Sequence, residues 1–317
     1  MKRRMFAIAG TLCTVLAQAQ PAYPNKPVTL VVAYAPGGMT DLITRKVARD
    51  LEISLGQPFI VENRAGATGQ IATDYVARRP ADGYTILVGA TSHMINPAMK
   101  KLPYDPRKAF DPVALFAVSP NFVLVNSQLN IKNFAQLKRY ADEHKTLPYG
   151  TAGTGGAPHV VGEVLKKQSG LPFNHIAYRG AGPAMADLVS GQVPFGVSES
   201  VTADAFLKDG RIVPLAIASA QRSKRYPEVP TLSELGYKGI DLFTWVGVYA
   251  PAGTPAPILD KLNEGMRRAI AKADTAEYIR STGSEPGDLT RASYVEFVNA
   301  EFDKWKAVVQ QAGVKDE

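Results

Sequence analysis

Apolar and polar positions along this chain switch repeatedly between a strand-like run and a helical period, and the switches fall at glycine-bearing turns. Val28 to Tyr34 is an apolar run of strand length; after Ala35-Pro36-Gly37-Gly38-Met39 the spacing becomes helical at Ile43, Val47 and Leu51. Thr40 and Asp41 stand where a helix N-cap is expected. The unit recurs: Tyr84 to Val88 leads into Gly89 to His93, Leu147 to Tyr149 into Gly150 to Gly156 and a helix over 158–167, and Phe173 to Tyr178 into Arg179 to Pro183 and a helix ending at Val189. This alternation predicts an α/β fold with parallel strands. In open sheets of that kind ligands bind beyond the carboxyl ends of the strands, where all of these turns lie.

The helix start after Gly38 has a chemical consequence. Amides in a first helical turn have no acceptor within the helix, and the macrodipole makes that end partly positive, so a small anion such as a carboxylate can be held without a charged side chain. Two helices near the end of the chain are read as core: Pro255 to Ile270, striped by Ile258, Leu259, Leu262, Met266 and Ile270, and Ser293 to Val309, striped by Tyr294, Phe297, Val298, Phe302 and Trp305. The irregular stretch from Leu102 to Pro112 and the basic, proline-bearing stretch from Gln221 to Pro230 suggest two lobes, one of residues 20–120 with 226–317 and one of residues 121–225.

The first residues change the picture. Lys2, Arg3 and Arg4 precede an apolar run from Met5 to Ala17, and Ala17-Gln18-Ala19 fits a peptidase site, so residues 1–19 read as an export signal and the location as the periplasm. Cys13, the single cysteine, lies inside that signal. A mature chain without thiols excludes a disulfide scaffold, a cysteine nucleophile and thiolate metal sites. The formal charge of +7 includes Lys2, Arg3 and Arg4 and no acid from the signal, so the mature balance is +4. Its basic residues come as scattered pairs without interleaved aromatics, which argues against nucleic acid.

No cofactor is implied. His93, His144, His159 and His175 lack metal-ligand spacing. Gly153-Thr154-Gly155 imitates a dinucleotide loop, yet Pro158 replaces its third glycine and Tyr178-Arg179 stands in place of the ribose-binding acid. Ser92 beside His93 leaves a serine hydrolase as a rival from another class, although sequence neighbours do not make a dyad and no nucleophile elbow is present.

Further motifs carry a likeness. Tyr23-Pro-Asn-Lys-Pro27, Ala35-Pro-Gly-Gly38 with Thr40-Asp41, Gly56-Gln-Pro58, Val61-Glu-Asn-Arg64 with Gly66, Asp82-Gly-Tyr84, Leu102-Pro-Tyr-Asp-Pro106 with Phe110, Tyr149-Gly150, Tyr178-Arg-Gly180, Pro227-Glu-Val-Pro-Thr231 and Ala250-Pro-Ala-Gly-Thr-Pro255 occur in this order. With them the chain resembles the Bug-type extracytoplasmic solute receptors of the tripartite tricarboxylate transporter system. The resemblance implies a type II periplasmic binding protein of two Rossmann-like lobes with a ligand cleft between them. It implies a small carboxylate as ligand (a dicarboxylate, tricarboxylate or aromatic acid), membrane transporter subunits as partners and no enzymatic activity. The receptor is read as a monomer; a ligand-sensing partner of a signalling receptor is the third reading.

Carried onto this sequence, the first grip is Pro36, Gly37, Gly38, Met39, Thr40 and Asp41, with Ser92 and His93 lining the cleft. The second grip is Thr151, Thr154, Gly155, Gly156 and His159, with Tyr178, Arg179 and Gly180 behind it. Relatives often carry a small residue at the place of Met39 and Asp at the places of Pro194 and Ser198. Met39 is therefore expected to offer a thioether to an apolar part of the ligand. Without the acid at Ser198 an amino-acid ligand is less expected, unless Glu199 substitutes.

Overall fold

The computed structural model describes residues 23–315; the proposed export signal, with Cys13, lies outside the described residues. The chain begins with β1 (Val28–Val32), α1 (Met39–Leu55), β2 (Phe59–Asn63), α2 (Gln70–Ala77), β3 (Thr85–Ala90), α3 (Ser92–Met99), α4 (Pro106–Ala109) and β4 (Phe110–Ser119). It then passes through β5 (Asn121–Asn126), α5 (Phe134–Asp142), β6 (Leu147–Thr151), α6 (Ala157–Ser169), β7 (Phe173–Ala177), α7 (Ala181–Ser190), β8 (Phe195–Glu199), α8 (Ser200–Lys208) and β9 (Ile212–Ile217). It ends with β10 (Thr244–Pro251), α9 (Ala256–Ala271), α10 (Ala273–Ser281), β11 (Glu285–Pro286) and α11 (Arg291–Ala312).

Two sheets result, ordered β11-β4-β10-β3-β1-β2 and β7-β6-β8-β5-β9. They share one plan. Three parallel strands (β2-β1-β3, β7-β6-β8) are followed by one antiparallel strand, β10 or β5, delivered from the other sheet. Only Pro120 separates β4 from β5, and the return comes at Thr244. The register fixes what this exchange accomplishes: Val246 opposes Ala90 at the end of β3, while Asn121 opposes Glu199 at the end of β8. The carboxyl ends of the parallel strands in both sheets thus converge on the two crossings.

Local sequence explains the helix starts. In α1 the buried stripe of Ile43, Val47 and Leu51 packs with Leu30 and Val32 of β1, each such side chain contributing roughly 1.5–3 kcal/mol of apolar burial. Its N-cap is Gly38, two residues ahead of the expected Thr40. The reason is visible: Asp41, in the first turn, reaches back to accept from the Gly37 amide at 3.0 Å, so the acid caps from inside the helix.

The segment from Tyr226 to Leu242, read from sequence as part of the first lobe, packs here against the second sheet. Thr231 bridges Ile217, the Leu242 amide donates to the Ala218 carbonyl at 2.9 Å, and the Tyr237 ring meets Phe134. A stretch with neither period carries no mark of the sheet it will cover. Helix α11 crosses between the lobes, packing on α3 and β4 and also on α6, where Lys167 Nζ donates to the Gln311 carbonyl. Both indoles of the chain, Trp245 in β10 and Trp305 in α11, donate to the same buried Glu301 oxygen at 2.8 and 2.9 Å.

Candidate functional site

The first loop is held by its own acid. Asp41 is buried and accepts from Gly37 N at 3.0 Å, from Arg45 Nε at 3.0 Å and from Asn63 Nδ2 at 2.9 Å. Burial alone would raise this carboxyl, but the bonds from Arg45, Gly37 and Asn63 outweigh it and hold the pKa below its ordinary range. Asp41 therefore shapes the turn and presents no free acceptor to a ligand. Gly37 has φ +86 and needs to be glycine, whereas Gly38 has φ −82 and a Cβ there would meet only the Ala35 carbonyl oxygen, 3.9 Å away. Pro36 and Gly37 are exposed, Gly38 is half-buried, and the first-turn amides of Met39, Thr40 and Asp41 have no acceptor within the helix.

Two side chains of this region point elsewhere than the sequence reading places them. Met39 is buried with Leu30, Val32 and Ile43 beneath β1, so its thioether belongs to the core and is not offered to a ligand. Ser92 and His93 open α3 rather than ending β3. The His93 ring is enclosed by Phe110, Tyr249 and Phe302, at centroid separations of 5.2, 4.8 and 6.0 Å, and burial brings its pKa down to about 4. Ser92 Oγ meets the hydroxyl of Tyr34, so Ser92 and His93 do not form a nucleophile and base. Burial pushes the Tyr34 phenol up to about 12; Ser92 opposes that rise and the Glu199 charge adds to it. Tyr34 escaped the sequence reading because it ends an apolar run and looks like core.

In the second lobe, histidines hold the loop. The Gly155 amide donates to His159 Nδ1 at 3.2 Å, and the His159 ring stacks on His175 at 4.0 Å. His175 Nε2 pairs with Thr151 Oγ1 at 2.7 Å, and that hydroxyl donates to the Gly153 carbonyl at 3.2 Å. Burial first, then His159, brings the His175 pKa down to about 3. Thr151 and His159 are buried and brace the turn, while Gly156 caps α6 and leaves the amides of its first turn without a helical acceptor. Behind them Tyr178 is turned toward α7: its hydroxyl donates to Asp187 at 2.7 Å, and burial with that acid lifts its pKa to about 12. Arg179 is exposed, and Gly180, with φ +116, caps α7 while its amide holds the Ala152 carbonyl at 3.0 Å.

The two lobes meet directly. Thr68 Oγ1 donates to the carbonyl of Thr154 at 2.6 Å, and Asn96 Nδ2 holds the Thr68 carbonyl at 3.3 Å. Gly155 lies so close to Asn96 and Met99 that a Cβ would come within 3.0 and 3.4 Å of them. Thr68 belongs to Gly66-Ala67-Thr68-Gly69, where four consecutive residues have positive φ (132, 46, 51 and 89°). Strain of this kind persists where the surroundings over-determine it and gathers at functional sites. The sequence signal was the glycine-rich Ala65 to Gly69 after β2, of which only Gly66 was singled out.

At the floor, beside both crossings, Ser198 is buried and shares a 2.6 Å bond with the Thr202 hydroxyl. Glu199 is half-buried; Thr244 Oγ1 donates to it at 3.4 Å, and burial raises its pKa. Among the described residues no cluster of histidines and acids is suited to a metal. The starts of α1, α6 and α7 follow the strand ends of two lobes that touch, and their first-turn amides, apart from the prolines Pro158 and Pro183, have no acceptor within the helix.

Comparison with known proteins places the chain in a family. Residues 43–314 match the model of the tripartite tricarboxylate transporter family receptor. BugT of Bordetella pertussis is 32% identical over 323 residues, covering 98% of each chain. Among solved structures, R. palustris Rpa4515 with adipate superposes with a TM-score of 0.87 at 33% identity, covering 92% of this chain and 99% of that one. MatC of Rhodopseudomonas palustris with bound malate gives 0.84 at 32% identity, covering 90% and 100%. The structure of periplasmic binding protein BugD gives 0.86 at 31% identity, covering 93% and 100%, and the chain belongs to the tripartite tricarboxylate transporter receptor family, a family of solute-binding receptors and not of enzymes.

Proposed function

We propose that this protein, exported by residues 1–19, captures a small carboxylate in the periplasm as a monomer and delivers it to the membrane subunits of a tripartite tricarboxylate-type transporter. One observation carries the reading: the starts of α1, α6 and α7, each with amides left over by the helix, lie at the converging strand ends of two touching lobes. The relatives solved with adipate and malate support a carboxylate as cargo. In this reading Gly38, Met39 and Thr40 contribute main-chain donors from the first lobe. Gly155, Gly156 and Gly180 border the second set, Ser92 with Tyr34 supplies hydroxyls, and exposed Arg179 attracts the anion to the rim. Closure takes the carboxylate out of water, where each preset amide bond counts for more.

Gly38 gives the test. Its backbone lies outside the left-handed region and an added Cβ meets nothing closer than the Ala35 carbonyl oxygen at 3.9 Å, so the first side-chain atom of Gly38→Val is accommodated and the melting transition checks that the variant folds. Thermal shift and calorimetry against mono-, di- and tricarboxylates and aromatic acids should find a ligand for the wild type and at least a tenfold weaker one for Gly38→Val, with the unfolding transition retained. Equal affinity of the two proteins removes this loop from the site.

A further inference from the structure

The half-buried carboxylate of Glu199 has no cation among the described residues. It ends β8 opposite Asn121, next to both crossings of the chain, and its donors are its own backbone amide and, at a long 3.4 Å, the Thr244 hydroxyl. Across the floor stand Tyr34 and Ser92, whose hydroxyls bind each other, and the Tyr34 phenol feels the Glu199 charge. The four buried acids among the described residues are all occupied: Asp41 by Arg45 and Asn63, Asp50 by Lys272 and Thr275, Asp204 by Arg225 and Tyr226, Glu301 by two indoles and Lys304. A half-buried carboxylate without a cation keeps acceptor capacity to spare, and at this place in the proposed cleft the further donor can come from the ligand.

We propose that Glu199 determines specificity: within the carboxylate-binding cleft it accepts a hydrogen bond from a donor substituent of the ligand, a hydroxyl or an ammonium, and disfavours acids that bring only a further carboxylate to that position. The inference rests on the proposed carboxylate site and narrows its ligand to hydroxy- or amino-substituted acids. A carboxylate placed against Glu199 meets like charge at short range, whereas an unsubstituted chain leaves the acid without compensation. The raised pKa of Glu199 agrees, since burial acts on it without an offsetting cation.

The experiment measures dissociation constants by calorimetry for the wild type, Glu199→Gln and Glu199→Ala. The probes are succinate, glutarate and adipate, then malate and 2-hydroxyglutarate, then aspartate and glutamate. The wild type is expected to bind at least one substituted acid tenfold or more tighter than the unsubstituted acid of equal length. Glu199→Gln should erase an ammonium preference by tenfold or more, and Glu199→Ala should erase a hydroxyl preference as well; plain dicarboxylates should bind both variants as tightly as the wild type or tighter. Thermal melts of the variants establish that they fold. The same ranking with unchanged ratios in all three proteins overturns the role of Glu199 while leaving the carboxylate site standing. If no carboxylate binds the wild type, the site reading falls and this inference with it.

Discussion

The Thr68 to Thr154 bond lets the closed state be weighed. Thr68→Val keeps the branched shape and the strained φ of 51° but removes the hydroxyl that crosses from the first lobe to the second. An intramolecular hydrogen bond of this kind contributes roughly 1 kcal/mol net, and leaving the Thr154 carbonyl without its partner at a closed interface can only add to the loss. At about 0.6 kcal/mol per unit of RT, that lowers the ratio of closed to open molecules about fivefold. A ligand that binds between the lobes should accordingly dissociate about fivefold faster, and the unliganded variant should show a larger radius of gyration in small-angle scattering. The melting temperature should stay close to that of the wild type, because neither lobe's core is touched. Thr68→Gly separates the contributions: it removes the same hydroxyl but relieves a left-handed threonine, a strain of roughly 1–2 kcal/mol, so stability should hold or rise while the closed state still weakens. If Thr68→Val matches the wild type in both scattering and dissociation rate, the bond plays no part in closure and the reasoning fails.

Asp41→Ala strands the Gly37 amide and the Asn63 side chain, and should cost roughly 2–4 kcal/mol in urea unfolding. Because the folded pKa of Asp41 is depressed, its contribution is full above the unfolded value near 3.8 and is lost as pH falls below it, so wild type and variant should converge in strong acid. His93, brought down to about 4, is neutral when folded and protonates first in the unfolded chain; its contribution is full above pH 6.5 and disappears as pH falls toward 4. His93→Phe, filling the same aromatic nest, should therefore gain about 2 kcal/mol over the wild type at pH 5 relative to pH 8, measured by denaturant melts at both values. An equal pH dependence in the two proteins would refute the burial of a neutral ring.

What the chain disclosed and what it withheld divide along physical lines. Ile43, Val47 and Leu51 announce α1 because a buried helical stripe must repeat at helical spacing, and the glycines before α1, α6 and α7 mark turns because only they tolerate the backbone there. The antiparallel direction of β5 and β10 left no trace, since a strand buried on both faces is simply apolar whichever way it runs. Side-chain direction was equally hidden. Met39 and His93 stand beside glycine and serine in the first turns of α1 and α3, and the helical geometry there turns both inward. Thr68 was missed because its role depends on a partner 86 positions away.

The placement of Glu199 connects recognition to closure. The crossings are tied by a short chain of bonds: Asn121 Nδ2 holds the Leu242 carbonyl at 2.8 Å, Thr244 Oγ1 holds Asn121 Oδ1 at 3.0 Å, and Ser119 meets Ser200 at 2.9 Å. Glu199 shares the Thr244 hydroxyl with Asn121, so one hydroxyl serves both the acid on the cleft floor and the network that joins the lobes. If Glu199 accepts a ligand donor as proposed, Thr244 is expected to bond Asn121 alone in the complex, so Thr244→Val should weaken a substituted acid more than the unsubstituted acid of equal length in calorimetry; equal losses for both would refute the coupling.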